Sequence, residues 1–245
     1  MENVYDNPSF FEQYQDLRAQ QINANNLLEI PIMKSMLPPL QDKTILDLGC
    51  GAGDMDKYFL ANGAKSVLGV DISQNMINEA QKNVINKNAK FKLLKMEDIS
   101  LINQKFDIVY SSLAFHYVED FNKLLSDIYN LLNDGGILIY SQESPLVTAP
   151  IYEGADPQKR VKINDKTYIL FSDYGNETVR NNYWNGVPVT KHHRTYATLV
   201  TLFIKNKFKI VEIKDSFATK QVIEICDKYK NQKDKPYFTF VKLQK

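Results

Sequence analysis

Four carboxylates and three glycines carry the first chemical signal in this chain. Asp47, Gly49, Gly51 and Gly53 lie within 45-ILDLGCGAGDMDKYF-59, Asp71 lies in 69-GVDIS-73, and Glu97 and Asp98 lie in 96-MED-98. An apolar strand followed by a glycine-rich turn and a helix directs backbone N–H groups at a ligand. The glycines let that ligand approach the main chain without meeting a Cβ. A dinucleotide fingerprint would read G-x-G-x-x-G, whereas here the glycines fall at every second residue and Met55 and Asp56 follow. Asp71 stands 18 residues after Gly53, at the strand end where a carboxylate accepts hydrogen bonds from a ribose diol. Asp98 could accept from an adenine amino group. Asp47 discriminates between ligands: it would repel a pyrophosphate but can help hold a cationic amino-acid moiety, directly or through water. Asp47 could instead cap the following helix.

A nucleoside joined to a positively charged amino acid is S-adenosylmethionine, and the glycine loop with Asp71 and Asp98 suits it. Further along, His116 in 113-LAFHYV-118 and Glu143 after the fifth strand point towards the same mouth. Either could serve as a general base for a hydroxyl or acidic-carbon acceptor. Each also has a plain structural reading, as a packed histidine and as a salt bridge. His192, His193 and Arg194 form a polar group, with Arg194 a candidate anion contact or an ion-pair partner. Tyr183 and Trp184 either line an apolar pocket or pack against their own segment. Cys50 has nothing nearby to make it a nucleophile and reads as a small packing residue. No metal is expected, because Cys50 and Cys226 are far apart and no third ligand is spaced with the histidines.

Positioning these residues requires alternating strands and helices. Strands are expected at 44–48, 66–70, 90–94, 106–111 and 136–141, with helices at 54–62, 73–86 and 119–132. Ser73 is an N-cap candidate, and 133-NDGG-136 reads as a glycine stop. This alternation implies a parallel sheet covered on both faces. Two helices, over 9–20 and 25–36, precede it. Residues 144–194 show no clear period and read as a functional insertion. A helix at 195–207, strands at 208–214 and 237–243, and a short helix at 218–230 complete the chain. The expected sheet has seven strands in the order 3-2-1-4-5-7-6, with only the seventh antiparallel. The corresponding division is a helical lid over 1–40, a cofactor-binding Rossmann-like core over 41–143, a lid and substrate insertion over 144–194, and completion of the sheet over 195–245.

Motif by motif, the chain resembles the class I S-adenosylmethionine-dependent methyltransferases. DLGCGAG with its partner acid resembles their first motif. MED, FDIVYSSLAFHYVED and LLNDGGILIYSQESP resemble later motifs of the small-molecule branch, of ubiquinone/menaquinone or methyltransferase type 11 kind. FFEQYQDLRAQ, VTKHHRTYATLVTLFIKNKFKIVEI and DKPYFTFV resemble a bacterial subgroup of that branch; the weakest stretch is about 151–190. The resemblance implies that the Gly49–Gly53 loop wraps the methionine part, with Cys50 and Asp47 in the cofactor set. It implies that Asp71 holds the ribose, that Ile72 lies on the adenine face with Met76 in the same set, and that Glu97 and Asp98 border the adenine. Ser112 would line the sulfonium end, and Tyr14 and Arg18 would cover the cofactor. Trp184, His193 and Arg194 are the expected substrate contacts. S-adenosylhomocysteine is the implied product.

The bulk properties narrow the alternatives. With 245 residues, a net charge of +1 and a pI near 7.6, the chain has no electrostatic footprint for nucleic acid. The stretch after strand four also lacks the proline-aromatic pattern of many nucleic-acid methylases. No apolar run reaches the length of a membrane span, no signal-peptide core opens the chain, and the cysteine usage suits a reducing, cytoplasmic setting. The expectation is a small-molecule acceptor, no membrane partner, and an oligomeric state left open with a homodimer as candidate. A non-catalytic S-adenosylmethionine-binding protein and a nicotinamide oxidoreductase are the competing readings.

Overall fold

The computed structural model describes residues 4–151, 160–184, 187–233 and 235–245. Helix α1 (Pro8–Ala19) is capped by the Asn7 side chain, which accepts from the Phe10 amide. A π-helical turn over Asn25–Glu29 leads directly into α2 (Ile30–Met36). The alternation then follows: β1 (Thr44–Leu48), α3 (Asp54–Ala61), β2 (Ser66–Asp71), α4 (Gln74–Asn83), β3 (Ala89–Leu93), β4 (Phe106–Ser111), α5 (Phe121–Leu131) and β5 (Leu132–Glu143). After β5 come α6 (Pro145–Thr148), a hairpin of β6 (Arg160–Ile163) and β7 (Lys166–Ile169), and a second hairpin of β8 (Val179–Trp184) and β9 (Val187–His192). Helix α7 (Tyr196–Lys205), β10 (Lys209–Asp215), α8 (Lys220–Ile225) and β11 (Phe238–Gln244) close the fold.

The main sheet runs β3-β2-β1-β4-β5-β11-β10. Counted along the chain this is 3-2-1-4-5-7-6, as expected. Only β11 is antiparallel to its neighbours. The central strands are apolar on both faces because both are covered: Ile45, Leu46, Leu48, Ile108, Val109 and Tyr110 are all essentially inaccessible. Helix α5 packs Phe121, Leu124, Leu125, Ile128 and Leu131 onto one face of the sheet. On the other face, Met33, Met36 and Phe59 from α2 and α3 pack with Ile45, Ile108 and Tyr110. Both helix layers hold the strand ends rigidly at one rim, where the candidate residues lie.

Two expectations are corrected. The segment 133-NDGG-136 does not separate α5 from a strand beginning at 136. The strand starts at Leu132, and Phe106 pairs with Leu132 while Ile108 pairs with Ile137, so the intervening residues bulge. Gly135, at φ +76° with open space where a Cβ would stand, permits the bulge. Second, the aperiodic segment 144–194 contains the two hairpins. Asn164 and Asp165, at φ 48° and 60°, form the turn of the first. Such a two-residue turn favours Asn and Asp for their tolerance of the left-handed region.

Candidate active site

The glycine loop is fixed to the neighbouring strand by its own backbone. The Gly49 and Cys50 amides both donate to the Val70 carbonyl, at 2.8 and 3.0 Å. Gly49, Gly51 and Gly53 have φ of +76°, +54° and +82°, so no other residue type fits without strain. Their surroundings differ. A Cβ on Gly49 would meet Ala114 Cβ and Met96 Cε at 2.9 Å, and one on Gly53 would meet Val84 Cγ2 at 2.9 Å. A Cβ on Gly51 would meet nothing within 4 Å. Gly49 and Gly53 therefore allow close packing, while Gly51 presents bare backbone to a cavity.

Asp71 organises the loop. Its Oδ2 accepts from the Gly51 amide at 3.0 Å and its Oδ1 from the Ser73 amide at 2.9 Å. Each oxygen keeps a further lone pair for a ligand hydroxyl. Burial holds the Asp71 carboxyl above its usual range, against the pull of those amides. Ser73 caps α4 as expected, accepting from the Met76 amide, and its hydroxyl donates to Asp6 Oδ1 at 2.6 Å. Asp6 also accepts from the Asn75 amide, which fastens the N-terminal segment to the start of α4.

A cavity of about 1670 Å³ runs along the strand ends. Arg18, Asp47, Gly49, Cys50, Gly51, Asp71, Ile72, Met76, Glu97 and Ser112 line it, and so do His116 and Glu143. One cavity thus joins most of the residues singled out in the sequence. Gly53 and Asp98 are not among its lining: Gly53 packs α3 onto α4, and Asp98 sits in a 3-10 turn over Met96–Leu101. The side chains of Tyr14 and Trp184 lie outside the described residues. Cys50 combines the packing and lining roles, since its thiol abuts Gly69, where a Cβ would stand 2.9 Å from Sγ. Burial and the neighbouring acids push that thiol well above its usual range, so it is inert.

His116 is almost fully buried, and its Nδ1 accepts from the Glu143 amide at 3.3 Å. A backbone N–H can only donate, so the proton of the neutral ring sits on Nε2. Burial first, with help from Lys191 and Arg194 and against Glu143, pulls the His116 pKa down to about 4. The ring is neutral at pH 7 and offers a donor. It is therefore not arranged as the general base considered from the sequence. Glu143 receives Lys191 Nζ at 2.5 Å. Burial would raise its carboxyl, but the Lys191 charge and hydrogen bond together with His116 leave it below the usual range.

His193 and Arg194 do not line the cavity. His193 bridges Thr148 Oγ1, at 2.8 Å from Nδ1, and the Tyr174 carbonyl, at 2.9 Å from Nε2. Arg194 donates to the carbonyls of Val118 and Glu119, and its guanidinium lies 5.0 Å from the Phe121 ring centre. Both side chains are thus engaged with groups outside the cavity. His192 and Tyr183, by contrast, line the cavity.

Sequence reasoning missed two groups. Glu29, at the end of the π-helical turn, is fully buried; its Oε1 accepts from Ser112 Oγ at 2.8 Å and Ser141 Oγ at 2.6 Å. It thereby docks the N-terminal helices onto the ends of β4 and β5. Its only signal was an acid within an apolar run, 27-LLEIPIM-33. Lys191 gave no local signal, because its partner is 48 residues away.

The site fits S-adenosylmethionine on two structural grounds. Gly51 offers unobstructed backbone, and no donor among the described residues reaches the buried Asp47 Oδ1. Comparisons with known proteins agree. Residues 46–140 match the model of a methyltransferase domain. An uncharacterized protein of Haemophilus influenzae is 37% identical over 249 residues, covering 99% of this chain and 97% of its own. A malonyl-[acyl-carrier protein] O-methyltransferase of Enterobacter lignolyticus is 26% identical over 131 residues, and the match spans 54% of this chain and 48% of that enzyme. Among solved structures, an S-adenosylmethionine-dependent methyltransferase from Mesorhizobium loti superposes with a TM-score of 0.82 at 29% identity, covering 91% of this chain and 98% of that one. A putative one from Listeria monocytogenes gives 0.77 at 29%, covering 89% and 96%. The chain belongs to the class I S-adenosylmethionine-dependent methyltransferases.

Proposed function

We propose that this enzyme methylates an oxygen of a small acidic molecule, bound between the ends of β4 and β5 and the β8–β9 hairpin. The observation that carries the reading is the single cavity that joins the glycine loop to His116, Glu143 and Lys191. S-adenosylmethionine supplies a methyl group already activated on a sulfonium. The protein has to place the acceptor in line with it and exclude water, and orientation can supply most of the acceleration. The Gly49–Gly51 backbone would hold the methionine part, Asp71 the ribose, and Ile72, Met76 and Glu97 the adenine surroundings. Ser112, anchored on Glu29, would border the reacting end.

The acceptor wall favours an anionic oxygen. His116 Nε2–H is a donor, and the Lys191 ammonium retains two further N–H groups beyond its bond to Glu143. A carboxylate nucleophile needs no base, which agrees with a histidine that is unsuited to act as one. An ammonium acceptor would meet Lys191 and would first have to lose a proton. Two similar proteins carry names in the same sense: the malonyl-[acyl-carrier protein] O-methyltransferase and a juvenile hormone acid O-methyltransferase of Bombyx mori, 26% identical over 147 residues. This chain spans about half the length of each.

Residues 1–40 and 144–194 would roof the core formed by 41–143, with 195–245 completing the sheet. In support, Tyr5, Leu17 and Arg18 from one segment and Asn181, Tyr183 and Lys191 from the other line the same cavity as Asp71. A roof of this kind would close after cofactor binding. Methyl transfer from labelled S-adenosylmethionine to matched carboxylic acids, phenols and amines tests the proposal. Acids should be methylated, with no inflection near pH 6–7 from a histidine base. Turnover of amines alone would refute the acid reading. Protection from hydrogen exchange in both roof segments on adding S-adenosylhomocysteine is the expected sign of closure.

A further inference from the structure

Asp56 has no part in the roles assigned above, yet it is the most enclosed carboxyl in the cofactor half of the site. It stands on the first turn of α3 with 0% exposure, against Asp47 with 2%. The two carboxyls lie within hydrogen-bonding reach of each other, and apart from that contact and the Asp56 backbone amide no donor among the described residues reaches Asp47 Oδ1 or the Asp56 oxygens. The titratable groups facing the pair are Asp71 and Glu29 beside Asp47, Asp54 beside Asp56, and the Tyr110 hydroxyl and Cys50 thiol against both. None of these groups is a cation. Arg18, which lines the same cavity, pairs with Asp54 at 3.5 Å.

Two carboxyls in contact in a dry setting cannot both ionise readily. Burial raises the Asp56 carboxyl to about 7, and burial with the charges of Asp56 and Asp71 raises Asp47 well above its usual range. Near neutral pH the pair therefore titrates as a unit that retains one proton. A cation beside Asp47 would change that balance. It would restore the favourable interaction that ionised Asp47 lacks, and the retained proton would leave.

We infer that Asp56 is a positioning residue for the amino-acid ammonium of the cofactor: the Asp47–Asp56 pair holds one shared proton beforehand and releases it to solvent as the ammonium seats beside Asp47. This rests on Asp47 as the partner of that ammonium. The bound form then carries one proton fewer than the free form, so cofactor affinity rises with pH, by up to about tenfold per pH unit in the linked range. Replacing Asp56 by Asn supplies an amide N–H that can donate to Asp47. Asp47 then ionises in advance, and the proton linkage disappears while the shape is kept.

Titration calorimetry with S-adenosylhomocysteine near neutral pH, in buffers of different ionisation enthalpy, counts the protons released. The wild-type protein should release close to one. With methylthioadenosine, which lacks the amino-acid part, it should release almost none; this comparison needs no variant. Asp56→Asn should bind S-adenosylhomocysteine with little proton release and a flattened pH dependence. Wild-type binding without proton release would overturn the inference, as would equal release with methylthioadenosine or undiminished release in Asp56→Asn. If S-adenosylhomocysteine did not bind at all, the cofactor assignment of Asp47 would fail with it, whereas binding without proton release leaves that assignment standing.

Discussion

The half of the cavity proposed to take the cofactor and the half proposed to take the acceptor are built on different plans. Between Thr44 and Met76, loop and ligand groups are joined through the main chain: Gly49 and Cys50 to Val70, Gly51 and Ser73 to Asp71. Every partner lies within about two dozen positions. The acceptor half joins Glu143 to Lys191, His116 to Glu143, and Ser112 to Glu29 across 48, 27 and 83 positions. The first plan is carried by backbone geometry and a few glycines. The second depends on side chains from segments that meet only after the sheet has formed. A half built from backbone can bind one cofactor with little variation in side chains, while the other can be changed residue by residue.

Gly51→Asn should give the largest effect that separates the halves. Its Cβ has open space and asparagine tolerates the left-handed region, so the protein can fold with a modest backbone penalty at φ +54°, yet the side chain would fill the proposed cofactor path. S-adenosylhomocysteine binding should be lost in calorimetry, with a melting shift worth only about 1–2 kcal/mol. A variant that binds normally would break the account of the loop. Asp71→Ala should follow, weakening binding by about 1–3 kcal/mol because its hydrogen-bond partners lose their acceptor.

Lys191→Met tests the acceptor half. It leaves Glu143 without its cation and should cost about 1–3 kcal/mol of stability near neutral pH, with S-adenosylhomocysteine affinity unchanged. Against burial, Lys191 and His116 hold the folded Glu143 carboxyl below the usual 4.5 of a glutamate. The stabilisation from its ion pair is therefore present above that value and is lost as pH falls through the folded pKa. Denaturation curves of wild type and Lys191→Met should converge in acid; a gap that persists there would assign the loss to packing instead. The smallest functional effect should come from Arg194→Ala. Its bonds to the Val118 and Glu119 carbonyls predict a lower melting temperature with an unchanged acceptor KM, and a raised KM would return Arg194 to the site.

The contrast also explains what could be read in advance. The strand order, Ser73 as cap, and the grouping of Asp47, Gly49, Gly51 and Asp71 were legible, because local periodicity and turn chemistry encode them. Arg194 and His193 were read as substrate contacts from their types and neighbourhood. The structure instead turns Arg194 to the carbonyls of Val118 and Glu119, just before α5, and His193 to Thr148 Oγ1 and the Tyr174 carbonyl, partners that no local pattern brings together. The tautomer of His116 could not be read either, because it is set by a single amide on another strand.

By itself the sequence determined the sheet, the glycine loop and the acids at the strand ends. Each of these follows from patterns a few residues long, in which apolar alternation, glycine spacing and capping act directly on the backbone. The tertiary structure alone decided that Glu29 anchors Ser112, that Lys191 neutralises Glu143, and that Asp56 stands against Asp47. Those outcomes turn on which side chains are driven into the same dry space. Burial makes a charge or an unpaired oxygen costly there, and only the packed fold fixes which partner lies within reach.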